Sequence, residues 1–248
     1  MARLAPRVTR SSLKLRPLQK HGPGRHASWL ELFFDLVFVT AIAQIAHQLD
    51  QLNLAHLLAF AGLLSLVWWT WLGYTFFADF FENGALRYRL AMFLAMFAVI
   101  GLTVNAESVL TAGGAWFAVS SVVAHAVLVL LYQRVYRAVP VARQFAGLAM
   151  QTYGLGGLIW LASVFTPPPW RFWLWAALVF EVGNSLRSNR ITRTMPFDAD
   201  RIPERLGLFT VLVLGEAILS LTRGLEQMTL ALLTTPVALA GFGVLALL

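Results

Sequence analysis

A helix needs about 20 apolar residues to cross the hydrocarbon of a bilayer, and this chain of 248 residues is built from little else. Eight runs of that kind can be read, at 30–49, 54–78, 88–106, 115–136, 144–165, 170–186, 204–222 and 229–248. Hydrocarbon offers the backbone no hydrogen-bond partners, so each run must satisfy its own, and a helix does so. The expected fold is all-α, a polytopic transmembrane bundle of about eight spans over 29–248, with a separate tail at 1–28. The balance of the chain agrees. It is 58% hydrophobic and 12% charged, whereas a soluble domain carries about 25% charged residues.

The breaks between runs are marked by turn-forming and polar residues: Asp50 to Asn53, Asp79 to Gly84, Gly113-Gly114, Pro140, Thr166-Pro167-Pro168-Pro169, and the polar stretch 187–203. Three successive prolines cannot continue a helix. The basic residues test the count. With the N-terminus placed in the cytoplasm, seventeen of the nineteen Lys and Arg fall on cytoplasmic segments, and only Arg171 and Arg223 fall opposite. Cytoplasmic enrichment of Lys and Arg is the rule for multi-pass proteins, and one missed helix would scramble it. The expected location is therefore the bacterial inner membrane, multi-pass, with a cytoplasmic N-terminus. Trp29 would lie at the inner interface, and Trp116, Trp160, Trp170 and Trp173 near outer ends, where indole rings favour the headgroup region.

The net charge of +7 sits entirely in the tail, which holds Arg3, Arg7, Arg10, Lys14, Arg16, Lys20 and Arg25 and no acid. Rich in Pro and Gly, it is a poor helix, expected to be disordered or to lie on anionic lipid headgroups. That confinement argues against nucleic acid as a partner. Signal-peptide cleavage after Ala41-Ile42-Ala43 is not expected, because two carboxylates interrupt the apolar region. Zero Cys excludes disulfides and thiolate metal sites.

Those two carboxylates carry the functional argument. Glu31 and Asp35 stand four residues apart inside the first run, on one helix face and about 6 Å apart along its axis. A charge at mid-membrane costs about 2.5–3.5 kcal/mol on insertion scales, so it calls for a partner or a purpose. His125, Glu181 and Glu216 each fall about ten residues into their runs, near one depth on three helices. A histidine beside carboxylates suits a proton relay or a cation site. The plain alternative is interhelical hydrogen bonding that only holds helices together. Glu204-Arg205 opens the seventh run, where a local salt bridge or a helix start would account for it. The tryptophans 68, 69 and 71 read as packing.

Four segments carry a resemblance. They are Glu31-Leu32-Phe33-Phe34-Asp35-Leu36-Val37-Phe38-Val39 with Ala41-Ile42-Ala43-Gln44 and His47, then Trp68-Trp69-Thr70-Trp71-Leu72-Gly73-Tyr74, then Glu204-Arg205-Leu206-Gly207-Leu208-Phe209-Thr210, and then Val211-Leu212-Val213-Leu214-Gly215-Glu216-Ala217-Ile218. Together and in this order they resemble the bacterial low temperature requirement A (LtrA) family. The resemblance implies a membrane protein named for a growth phenotype in the cold, with no defined reaction. Its members are typically longer, so the chain is expected to be a short or truncated member: either the eighth helix ends at the inner surface or the bundle is incomplete at its C-terminal end. Helix seven would then begin a second copy of helices one to six, with Glu204 in the place of Glu31 and Leu208 in the place of Asp35. The first segment is also distantly similar to the first-helix F-S-D motif of a bacterial and lysosomal potassium channel family, with Phe34 where that motif has Ser.

Soluble enzymology finds no foothold. There is no Walker A loop, no G-x-S-x-G elbow and no H-E-x-x-H zinc helix. Gly154-Leu155-Gly156-Gly157 lies in an apolar run, where close helix approach explains it better than phosphate binding. No enzyme activity and no cofactor or metal are expected. The leading expectation is a transporter or channel for protons or small cations using Glu31, Asp35, His125, Glu181, Glu204, Arg205 and Glu216. The alternatives are a non-transport envelope component needed in the cold, and a lipid-acting membrane enzyme using Glu216 and His125 as acid and base. A homo-oligomer is compatible with all three.

Overall fold

The computed structural model describes residues 28–46, 54–81, 86–106, 114–167, 176–192 and 201–227. Seven α-helices and no strand occur among them: α1 (Trp29–Ala46), α2 (Leu54–Phe81), α3 (Leu86–Val104), α4 (Gly114–Ala138), α5 (Arg143–Val164), α6 (Ala176–Thr192) and α7 (Arg201–Gln227). Five described segments are long and apolar enough to cross a membrane: Trp29–Ala46, Phe60–Phe81, Leu86–Val104, Gly114–Ala138 and Pro140–Val164. The expected eighth span, 229–248, the basic tail 1–27 and residues 47–53, 82–85, 107–113, 168–175 and 193–200 lie outside the described residues.

The first five predicted runs match helices to within three residues; the sixth, expected at 170–186, is α6 at Ala176–Thr192, which carries Arg187 and Arg190 into the stretch that reads as a polar break, and α7 runs five residues past the expected end at 222. The second differs in a way that matters, because α2 does not stop at 78 but continues through Asp79 to Phe81. Asp79 is buried there, flanked by Ala78, Phe80 and Phe81, also buried. An acid that reads as a loop residue in sequence is thus an interior residue of a helix.

The helices bury one side against each other and present another that is equally apolar. Leu32, Leu36, Leu94, Phe97, Leu158, Leu161 and Val179 are all exposed. A water-soluble bundle would be polar there; an apolar exterior belongs to a helix facing lipid. The hydroxyls tell the same story. Thr40 donates to the Leu36 carbonyl at 3.0 Å, Ser65 to Ala61 at 2.7 Å, Thr103 to Val99 at 2.8 Å and Thr210 to Leu206 at 2.8 Å. Folding a hydroxyl back onto the preceding turn is how Ser and Thr are satisfied where water is absent.

The packing is set by small residues. α4 and α5 form a hairpin through a 3-10 turn, Pro140–Ala142, in which Pro supplies the N-terminal turn residue. α5 lies between α4 and α6, and its Gly156 and Gly157 face Glu181 and His125. α2 meets α5 where Gly73 has no side chain, and a Cβ there would lie 2.5 Å from the Tyr153 hydroxyl. α7 packs against α1 and α2. An aromatic cluster of Phe77, Phe81, Tyr88, Tyr132, Phe145 and Tyr153 fills the space among α2, α3, α4 and α5.

Candidate functional site

Two buried polar centres result, one on each side of α2. The first joins the start of α1, the end of α2 and the start of α7. Ser28 caps α1, and the cap is reciprocal. The Glu31 amide donates to the Ser28 hydroxyl and the Ser28 amide to the Glu31 carboxylate, each at 3.3 Å. This is a capping box, and it gives Glu31 a local structural role. The spacing Ser28-x-x-Glu31 is a readable signal for it that the charge argument passed over.

One turn further, Asp35 is 2% exposed. Its Oδ1 accepts the Trp71 indole N–H at 2.8 Å and an Arg205 guanidinium N–H at 3.3 Å. A second Arg205 N–H reaches Asp79 Oδ1 at 3.2 Å. Arg205 itself is 5% exposed, so one guanidinium is held between two buried carboxylates from two other helices. Arg205 therefore ties α7 to α1 and α2, whereas its neighbour Glu204 is exposed in the first turn of α7. The local Glu204–Arg205 pairing expected from sequence gives way to this longer reach. Phe209, one turn on, stacks on Trp71 with centroids 4.2 Å apart and meets Trp68 edge-on at 5.6 Å. The tryptophan-rich segment thus packs, as its composition suggests, and Trp71 also supplies a donor.

The second centre lies halfway along α4. His125 and Glu181 are 4% and 2% exposed. His125 Nδ1 lies 2.6 Å from the Ser121 carbonyl oxygen, and Nε2 lies 2.8 Å from Glu181 Oε1. A carbonyl only accepts, so Nδ1 carries a proton and donates. The Nε2–Oε1 contact then needs one further proton between the two atoms, on either side. The Tyr153 ring lies 6.2 Å from the imidazole. One turn along α6, Asn184 donates to Thr152 of α5 at 2.5 Å. Polar groups thus continue from the pair toward the C-terminal end of α6.

Of the residues singled out in sequence, His125 and Glu181 are brought together, as are Asp35 and Arg205. Glu216 is half-buried on α7, on the side of the molecule formed with α1 and α2, and the polar contacts of His125 are Ser121 and Glu181. Sequence reasoning missed Asp79, Trp71 as a donor, Thr152 and Asn184. Trp71, Thr75 and Asp79 recur at intervals of four residues, and that spacing is a usable signal for a common face. No group of three or more His, Cys, Asp or Glu suited to a metal occurs among the described residues. A groove between α1 and α3 is lined by Val37, Thr40, Gln44, Ile100, Thr103 and Val104, but its two threonines are spent on their own helices.

Residues 26–248 match the family described as bacterial low temperature requirement A protein (LtrA). An uncharacterized protein of Rhizobium meliloti (strain 1021) is 29% identical over 220 residues, covering 79% of this chain and 50% of the relative. The chain spans about half the length of that curated relative. No solved structure matches.

Proposed function

This chain belongs to the bacterial low temperature requirement A family, and on that premise we propose that it carries protons across the inner membrane through the His125–Glu181 pair. One observation carries the reading. With Nδ1 bound to the Ser121 carbonyl, the pair shares a single proton across 2.8 Å. Whether that proton sits on nitrogen or oxygen, a shift of less than 1 Å moves it between two helices, on the usual donor–hydrogen geometry. Such a pair is a proton-holding unit, buried where an isolated charge would be costly. Beside it lie the Tyr153 ring, the Ser121 carbonyl, and Gly156 and Gly157 of α5.

The reading includes eight spans with a cytoplasmic N-terminus. It places the basic tail on anionic lipid, allows a homo-oligomer, and assigns no enzymatic chemistry. Asp35, Arg205 and Glu216 belong to the α1–α2–α7 side, where they would govern access rather than hold the transported proton.

The test is proton flux into proteoliposomes under an imposed pH gradient, with the full chain. Wild type is expected to move protons, and Glu181→Gln and His125→Gln are expected to abolish flux while the protein stays folded. Glu216→Gln then reports whether α7 takes part. Well-folded wild-type protein that moves no protons would overturn the proposal in favour of a structural envelope role, in which the pair only bonds α4 to α6.

A further inference from the structure

The α1–α2–α7 centre has a second property that the proton reading does not use. Arg205 meets each carboxylate through a single N–H, at 3.3 and 3.2 Å. Guanidinium–carboxylate bonds usually close to about 2.7–2.9 Å and often form a two-pronged fork. The seat is therefore loose for a buried ion pair. Thr75 adds an independent observation. It is 1% exposed, it lies one turn from Trp71 and one turn from Asp79, and its hydroxyl has no partner. Trp71 and Asp79 both reach into the crevice that holds Asp35 and Arg205, so the Thr75 hydroxyl shares their face. A buried hydroxyl left unbonded costs free energy, and it has an oxygen to offer.

Between Ile202 and Leu219, Arg205 and Phe209 are the two buried residues of α7. Arg205 stands near the start of its helix, so its long side chain can reach the membrane interface when it leaves, as arginines near helix ends do. The Asp35 carboxylate, left behind in a dry crevice, would need another positive charge.

We propose that the crevice among α1, α2 and α7 is an exchangeable monovalent-cation site, with Asp35, Asp79 and Thr75 as oxygen ligands and the Arg205 guanidinium as its tethered occupant. Oxygen ligands suit a hard alkali cation. Two carboxylates, without a third His, Cys, Asp or Glu in a metal-holding group among the described residues, suit a single charge better than a double one. Cation entry and Arg205 seating then exclude one another, and α7 moves with the exchange.

The experiment is equilibrium binding of radiolabelled sodium, and of rubidium as a potassium surrogate, to the purified full chain in detergent, with choline as the inert competitor. Wild type is expected to bind one ion per chain saturably. Arg205→Ala is expected to tighten that binding about tenfold or more, and Asp35→Asn and Thr75→Val to weaken it about tenfold, on the usual size of charge-pair effects. Three results would each overturn the proposal. They are no saturable binding to wild type, binding unaffected by Asp35→Asn and Thr75→Val, and binding confined to Arg205→Ala. Thr75→Val is nearly isosteric, so it keeps the test open if Arg205→Ala does not fold. The readout is occupancy, not flux, so its failure and the failure of the proton reading are separable.

Discussion

At the scale of single residues, the sharpest test is a glycine. Gly156 has no side chain because the Glu181 carboxylate occupies the space where a Cβ would stand. Gly154, half a turn away, has its nearest neighbour atom at 3.9 Å, Val129 Cγ2, which is ordinary contact. Gly156→Ala must push Glu181 off His125, and overpacking of a filled site costs about 1–3 kcal/mol. Gly154→Ala is expected to be neutral or to stabilise slightly, since alanine favours a helix by about 1 kcal/mol over glycine. Thermal unfolding in detergent checks the contrast, and equal midpoints for the two variants would contradict the packing described here. Asp35, His125 and Glu181 were legible in the sequence because an acid or histidine inside an apolar run is conspicuous. Their partners were not. Nothing in the order of residues says that Arg205 reaches past Glu204 to α1 and α2, or that Glu181 meets His125 and not Glu216, because those choices are made by helix packing. Asp79 escaped for a different reason. It stands beside a polar break, and only the extra turn of α2 turns it inward.

At the scale of elements, the helices were legible from hydropathy alone, with ends set by features that follow local rules. Ser28-x-x-Glu31 starts α1, and the prolines at 167–169 follow α5 closely. α7 is the element whose behaviour sequence did not reveal. Its fully buried attachments are an ion clasp at Arg205 and an aromatic stack at Phe209, with Ile202, Leu206, Leu212 and Val213 packed half-buried beside them. Phe209→Ala removes the stack on Trp71 and Trp68. Large-to-small changes at buried phenylalanines cost about 3–5 kcal/mol, and here the loss falls on one helix. Hydrogen exchange is expected to quicken across 202–219 while α3, α4 and α5 keep their protection, since local openings follow the least-anchored unit. Leu208→Ala, at a neighbouring exposed position, is expected to leave exchange unchanged. A uniform rise over all helices after Phe209→Ala would mean that α7 is integral to the bundle core and not a detachable arm.

At the scale of the whole molecule, the question is which way the bundle sits and whether α7 crosses. The fold supplies an internal argument. Asp35 near the start of α1, Asp79 near the end of α2 and Arg205 near the start of α7 meet in one crevice, so those three helix ends lie at the same face. Seventeen of nineteen basic residues fall on that side if the helices alternate, and the proposed orientation assigns it to the cytoplasm on the positive-inside rule. Length also favours a crossing. At about 1.5 Å per residue, the 27 residues of α7 span roughly 40 Å, more than the hydrocarbon thickness of about 30 Å. Against this stands its charge, Arg201, Glu204, Arg205, Glu216 and Arg223, which an interfacial helix would carry more easily. The natural chain has no cysteine, so single cysteines report topology without background. In intact cells a membrane-impermeant thiol reagent is expected to label Gln51→Cys, Thr111→Cys and Pro168→Cys. Ala85→Cys, Val141→Cys and Ala199→Cys are expected to react only after permeabilisation. Gln227→Cys decides the remaining point. Labelling from outside means that α7 spans the membrane, carrying Glu216 through it and leaving 229–248 to return. Protection until permeabilisation means that α7 lies along the cytoplasmic interface, with Arg205 as the anchor that holds it against α1 and α2. In that arrangement Glu216 never enters the transport path, and proton movement rests on α4, α5 and α6 alone.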